Sequence, residues 1–202
     1  MVTSLFEKSK TFEISCGPVV LRPITMECAT DEYVSWLNDP AVNEYLEVRF
    51  QKHTLESIKK FLGEIKKAPN AYFFSIHHDS LKFVGTVKLD EIKSVHSSAV
   101  VAYMVGDNNC WGKGVGTHAV AAACAFGIEK LDLVKIRACC YEGNTGSKAV
   151  LKKVGFVQEG CQRKQVVSKR GRENILDFGL LAEDFKRNRF PVEITRLNDK
   201  ND

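Results

Sequence analysis

Apolar positions recur along the chain with two periods, and the switches between them mark its elements. Phe12 to Pro23 alternates weakly and carries the apolar trio Val19-Val20-Leu21, closed by Arg22-Pro23. This predicts a first strand. A short helix follows through Leu37, with Thr30 or Asp31 as cap and Glu32 in its first turn. Asn38-Asp39-Pro40 stops it, because the residue before a proline resists helical backbone. Leu55, Ile58, Leu62 and Ile65 fall on one helical face and predict a second helix from Thr54 to Lys67, capped by Thr54, with a turn at Pro69-Asn70.

Three strand-like runs come next, Ala71 to His77, Phe83 to Leu89 and Ala99 to Val105. Asp79-Ser80 and Ser94 to Ser98 punctuate them at hairpin spacing, which predicts an antiparallel meander. Gly106-Asp107-Asn108-Asn109 ends the third run. Beyond the segment 111–117 lies an alanine-rich helix to about Lys130, then a strand from Leu133 to Tyr141. Asn144 to Val154 is a further helix ended by Gly155 at C′. Phe156 to Val167 and Asn174 to Leu181 form a last hairpin over Lys169-Arg170-Gly171. The pattern describes a mixed α/β domain with strand–loop–helix–strand order in its second half.

Composition narrows the function classes. The 202 residues suit one domain, and 27% charged against 44% hydrophobic residues is ordinary globular usage. A net charge of +4 is too mild to argue for a nucleic-acid partner, though it suits a small polyanionic ligand. The longest purely apolar run, Ala119 to Phe126, is too short to span a membrane. Met1 to Lys10 lacks the unbroken apolar stretch of a secretory signal. The seven cysteines are odd in number and form no C-x-x-C pair, which reads as reduced thiols in the cytoplasm and gives no zinc-ligand spacing. Cys139 and Cys140 are adjacent and would point to opposite faces of a strand.

The segment Trp111-Gly112-Lys113-Gly114-Val115-Gly116-Thr117 has glycines on alternate positions, one lysine, no acid, and a helix behind it. Successive amides at a strand–helix corner make a concavity for an anion, and the helix dipole adds to it. A tight turn without a ligand is the alternative. A P-loop would need G-x-x-x-x-G-K-[ST], which is absent. The dinucleotide fingerprint G-x-G-x-x-G fails at Thr117, and more than half the chain precedes the loop.

Cys110 through Thr117 resembles motif A of the GNAT superfamily of acyl-CoA-dependent N-acetyltransferases, usually Q/R-x-x-G-x-G/A, in the Trp-Gly-Lys-Gly form of its ribosomal-protein (RimJ/RimL-like) branch. Asn144-Thr145-Gly146-Ser147 followed by Lys153-Val154-Gly155-Phe156 is similar to that family's second motif, N-x-x-S then K-x-G-F. Leu21-Arg22-Pro23 and Trp36-Leu37-Asn38-Asp39-Pro40 also resemble this branch. The likeness covers about residues 19–182 of a single domain spanning 1–202. It implies the GNAT fold, a central mostly antiparallel twisted sheet of six to seven strands flanked by about four helices. It implies N-acetyl transfer from acetyl-CoA to a primary amine, without a metal. Dimers are common in the family, so a homodimer is one implied assembly.

The same resemblance distributes roles. Trp111, Gly112, Lys113, Gly114, Val115, Gly116 and Thr117 inherit the coenzyme A pyrophosphate. Met104 or Val105 offers a backbone N–H to the thioester carbonyl, and Asn144 bonds the pantetheine arm or caps its helix. Two positions break the pattern. The usual proton-donating tyrosine is Leu151, which leaves Ser147 as the family-matched alternative to a capping-turn serine. The usual glutamate base is Val100. Tyr103, His96 and Glu142 are the remaining candidates for proton transfer, each with a plainer reading as packing or solvated surface. Histidine titrates near neutrality. Asn38 and Arg49 line the acceptor side by family analogy. Acceptor candidates are a small amine, notably an amino sugar on a nucleotide carrier, or a protein N-terminal α-amine. The rival from another class is a non-catalytic acyl-CoA-binding sensor, and the missing tyrosine and glutamate are its best support.

Overall fold

A computed structural model of the chain describes residues 12–65, 68, 70–78 and 82–197. The readings of Met1–Lys10, of the helix end at Lys66–Lys67, of Pro69 and of the Asp79-Ser80 turn lie outside these residues. Nine strands hydrogen-bond into one sheet: β1 (Phe12–Cys16), β2 (Val19–Pro23), β3 (Tyr72–His78), β4 (Lys82–Lys93), β5 (Ser98–Val105), β6 (Lys135–Tyr141), β7 (Val157–Ser168), β8 (Gly171–Leu181) and β9 (Val192–Arg196). Their order is β7-β8-β6-β5-β4-β3-β2-β1-β9, antiparallel throughout except for β5 beside β6. Five α-helices are described: α1 (Asp31–Asn38), α2 (Pro40–Asn43), α3 (Leu55–Ile65), α4 (Val115–Leu131) and α5 (Thr145–Val154).

The expected meander, central helix and last hairpin are all present, but the sheet is wider than expected. The single strand read over Phe12 to Pro23 is two strands, because Gly17 turns the chain with φ +54. The stop at Asn38-Asp39-Pro40 is a restart. Asp39 Oδ1 accepts from the Ala41 N–H at 2.8 Å, and Pro40 opens α2, where its missing N–H costs nothing. The ninth strand pairs with β1 along its whole length. Its five residues alternate too briefly after Pro191 to stand out in the sequence. The sheet thus continues beyond residues 19–182 at both ends.

Strand alternation sorts the core into two layers. Ile14, Leu21, Tyr72, Phe74, Val87 and Leu89 turn toward α4, whose residues Ala119 to Gly127 are all buried. Their small side chains let the helix lie close on the sheet. Phe126 fills the centre, with ring centroids 5.0 Å from Tyr72 and 5.4 Å from Phe74. On the opposite face Phe73 and Met104 pack with Tyr33, Trp36, Ile58 and Leu62 of α1 and α3. Thr30 caps α1 by accepting from the Tyr33 N–H at 3.1 Å. Thr54 and Ser57 cap α3 reciprocally, at 3.2 and 2.9 Å.

One junction breaks the regularity. β5 pairs with β6 only over Ser98–Val100 opposite Lys135–Arg137. Beyond it, β5 stays with β4 out to Val105, while β6 stays with β8 out to Tyr141. The two strands therefore part, and helices α4 and α5 begin at the two sides of the opening.

Burial pushes the Tyr33 and Tyr72 hydroxyls up to about 12 from 10.0 and the Cys16 thiol up to about 11 from 9.0. Each group binds its proton more tightly folded than unfolded. Their contribution is therefore complete below pH 9.0 and is lost as pH rises through about 12. Urea midpoints should hold steady up to pH 9.0 and fall from there toward about pH 12.

Candidate active site

The segment after β5 is tied down before the glycines begin. Asp107 Oδ1 accepts from the Asn109 N–H at 3.0 Å, and its Oδ2 accepts from Lys82 Nζ at 3.0 Å. The bond from Lys82 holds the Asp107 carboxyl below the usual range. Trp111 then folds back, its Nε1–H donating to the Val105 carbonyl at 2.9 Å. Gly114, at φ +82, is the N-cap of α4 and supplies no side-chain cap. The first amides of a helix have no intrahelical acceptor. Those of Val115, Gly116 and Thr117 are therefore aligned with the dipole of a 17-residue helix and available to an anion.

These amides open onto a cleft of ≈ 500 Å³ between the parted strands. One wall is Tyr103, Met104 and Val105 of β5. The glycine loop closes one end. Asn144, Gly146, Ser147, Ala149, Val150 and Lys153 of α5 form the facing wall, and α2 with the residues after it, Ala41 to Leu46 without Asn43, covers the remaining side.

The direction of the Val105 peptide follows from two hydrogen bonds. The Gly106 N–H donates to Val84 on β4 at 2.9 Å. Successive peptide groups of a strand alternate sides, so those of Val105 face away from β4. The bond from Trp111, which itself lines the cleft, places the Val105 carbonyl on the cleft side. Of Met104 and Val105, the residue presenting its N–H to the cleft is Val105. Gly106 has no room for a side chain, because a Cβ there would stand 2.1 Å from the Trp36 ring.

Opposite this strand, the Ser147 N–H donates to Asn144 Oδ1 at 2.9 Å, so Asn144 does cap α5. Burial pushes the Tyr103 hydroxyl up to about 12, and a hydrogen bond to Ser147 acts against that shift. Burial also pushes the Cys140 thiol up to about 11, again with Ser147 as a hydrogen-bond partner. Tyr103 and Cys140 thus both neighbour Ser147, and of the three Tyr103 and Ser147 line the cleft. The Tyr103 ring lies against Gly116, where a Cβ would come within 3.1 Å of it. Leu151, at the usual tyrosine position, is 1% exposed and belongs to the core.

A polar network secures the side made by α2. Tyr141 donates to Glu47 Oε1 at 2.5 Å and accepts from Arg49 at 2.9 Å. Arg49 also donates to the carbonyls of Leu46 and Val167, at 2.8 and 2.6 Å. Arg170 of the β7–β8 turn reaches the Tyr45 hydroxyl at 3.3 Å.

Nine of the ten residues expected at the cofactor line the cleft; Lys113, exposed on the loop, does not. Tyr103 and Ser147 line it too. His96 does not: it is exposed in the turn before β5, roughly 20 Å from Tyr103 at strand rise. Glu142 points to solvent and accepts from Asn174 Nδ2 at 3.0 Å. Asn38 clamps the chain, donating to Val34 and His53 carbonyls at 3.0 and 2.9 Å, and Arg49 serves the network above. Lys153, Glu44 and Leu46 were not among the expected site residues. Gly146, Val150 and Lys153 recur at i+4 and i+3 spacing along the helix that Asn144 caps, a signal available in the sequence.

The acetyltransferase (GNAT) family model matches residues 19–157. The chain belongs to the GNAT acetyltransferase family. It is 25% identical over 170 residues to an uncharacterised N-acetyltransferase p20 of Bacillus licheniformis, covering 83% of this chain and 94% of that one. In fold it is similar to Mycobacterium smegmatis RimJ, solved with a CoA disulfide (TM-score 0.73, 22% identity, 88% and 90% of the two chains). It is likewise similar to Vibrio cholerae spermidine N-acetyltransferase, solved with CoA and spermine (TM-score 0.74, 17% identity, 83% and 98%). Membership makes this GNAT protein an acetyl-CoA-dependent acetyltransferase. The uncapped helix and the glycine loop fit a pyrophosphate. Among the described residues no cluster could hold a metal ion, and no helix is long and apolar enough to cross a membrane.

Replacing Gly106 by alanine should displace Trp36 and cost about 1–3 kcal/mol of stability. A lower thermal midpoint with altered tryptophan emission would report it.

Proposed function

We propose that the protein transfers the acetyl group of acetyl-CoA to a primary amine by direct attack in a ternary complex. The acceptor is a small-molecule amine such as an amino sugar, or a protein N-terminal α-amine. The parting of β5 from β6 carries this reading. It sets an unpaired strand amide beside an anion-binding helix end, and thioester aminolysis needs both groups together.

The amides of 115–117 hold the pyrophosphate, and Lys153, one helical turn past the Val150 side chain that neighbours Gly116, adds its charge. Asn144 positions α5 by its cap, and the Val105 N–H takes the charge that grows on the thioester oxygen as nitrogen attacks. Ser147, with Tyr103 behind it, donates a hydrogen bond to the departing sulfur. A thiol titrates near ~8.5, so its thiolate needs stabilisation more than full protonation. Tyr103, still protonated up to about 12, keeps the Ser147 hydroxyl oriented across the working range. Burial likewise favours the protonated thiol at Cys140, and the attack proposed here is direct, without an acyl-enzyme.

Val100 supplies no base. The acceptor must therefore reach the cleft already neutral. An α-amine titrates near ~8 and a lysine amine near ~10.4, so the former is far more often ready. A sensor without catalysis is the second reading, favoured by the burial of Leu151 in the core.

Two variants test the assignment. Gly116→Val pushes on the Tyr103 ring and crowds the first turn of α4. CoA affinity, read by calorimetry, should fall about tenfold or more, at ~1.4 kcal/mol per decade. Ser147→Ala should lower kcat by roughly 10²-fold with little change in CoA affinity. Unchanged turnover in Ser147→Ala would remove the serine from the chemistry. CoA binding without amine-dependent thiol release in the wild type would favour the sensor.

A further inference from the structure

Two charged side chains line the cleft, Lys153 and Glu44, on different elements. Lys153 lines it from α5, one helical turn past Val150, whose side chain neighbours Gly116 in the loop read above as the phosphate site. Glu44 lines the cleft from the covering side, just past α2, and is the only carboxylate among the lining residues. It is half-buried, and among the described residues it has no hydrogen-bond or ion-pair partner. A carboxylate partly withdrawn from water without a partner is costly, and a cation brought to it offsets that cost.

The neighbouring cations are committed elsewhere. Arg49 is spent on Tyr141 and two carbonyls, and Arg170 on the Tyr45 hydroxyl. Glu44 is nevertheless firmly mounted. The Asn43 N–H donates to the Asp39 carbonyl at 2.9 Å, and buried Asn43 Nδ2 donates to the Leu37 carbonyl at 2.8 Å. The Leu46 N–H donates back to the Asn43 carbonyl at 2.8 Å. The backbone on both sides is fixed, so the Glu44 side chain is mounted at a set point on the cleft wall. Its field reaches the adjacent Tyr45, which also lines the cleft.

We infer that Glu44 selects the acceptor by charge: it receives a positive group on the acceptor other than the reacting nitrogen. The inference rests on the acetyl-transfer reading and narrows its acceptor to cationic amines. The reacting nitrogen must be neutral, so a fixed carboxylate serves best by binding a second, protonated site and leaving the first free to attack. An acceptor with a negative tail would meet Glu44 with like charge. The bond changes are those of the parent reaction: nitrogen–carbon forms, carbon–sulfur breaks, and the proton lost by nitrogen goes to solvent.

The test uses three primary amines of matched length and different charge, 1,4-diaminobutane, butylamine and 4-aminobutyrate, with kcat/KM expressed per neutral amine because such alkyl amines titrate near ~10.4. Wild-type protein should release CoA thiol with kcat/KM falling in that order. In Glu44→Gln the diaminobutane value should drop about tenfold, mainly through KM, while butylamine stays within about twofold; tenfold is ~1.4 kcal/mol. Glu44→Lys should reverse the order of the two charged amines. CoA affinity, unchanged in both variants, would verify folding. Equal effects on all three amines, or none, would overturn the role of Glu44 and leave acetyl transfer standing. Absence of release from the wild type with all three, alongside release with an amino sugar or an N-terminal peptide, would overturn this inference alone; absence with those acceptors too would overturn the acetyl-transfer reading with it.

Discussion

The structure turns on hydrogen bonds that two neighbouring strands do not make. β5 and β6 run parallel for three residue pairs and then part. A strand edge left inside a protein must satisfy its peptide groups elsewhere, because each buried, unpaired group costs about 1–3 kcal/mol. Trp111 answers for the Val105 carbonyl. The amide on the same side is left to whatever enters the cleft. The helices follow from the same gap: α4 and α5 each start where a strand has lost its partner. Both helix beginnings are thus delivered to one place.

Much of this was written locally. The glycines before α4, the Asn144 cap and Gly155 behind α5 are short-range signals, and each acts within a few residues of itself. The alanine run declared a helix that would lie close on a sheet. Other features depend on distant partners. β9 is a strand because β1 offers it an edge, and no five-residue pattern reveals that. Pro40 reads equally as a terminator and as a first helical residue, and the Asp39 cap decides between them. His96 and Glu142 carry the right chemistry, but strand direction puts one at the far end of β5 and turns the other to solvent. Glu44 lay in no motif, and only folding brought it to the cleft.

The side bearing α2 has a different physical character from the cofactor end. The latter is built from backbone, which cannot be substituted away. The former is built from side chains joined in series, Glu47 to Tyr141 to Arg49 to the β7–β8 hairpin. Acceptor preference can therefore drift by single substitutions while the cofactor end persists.

Phe12 and Arg196 sit directly opposite one another on paired strands. One margin of the sheet is therefore stitched from the two extremes of the described chain, a contact of the highest order this topology contains. Closing so long a loop costs entropy that nearer pairings do not. The elements carrying the cofactor end of the cleft, Ser98 to Val154, are by contrast contiguous. The hinge of β5, β6 and their helices can thus condense early, and the β1–β9 seam is sewn last. For the same reason a substitution along this margin is expected to speed unfolding more than it slows folding.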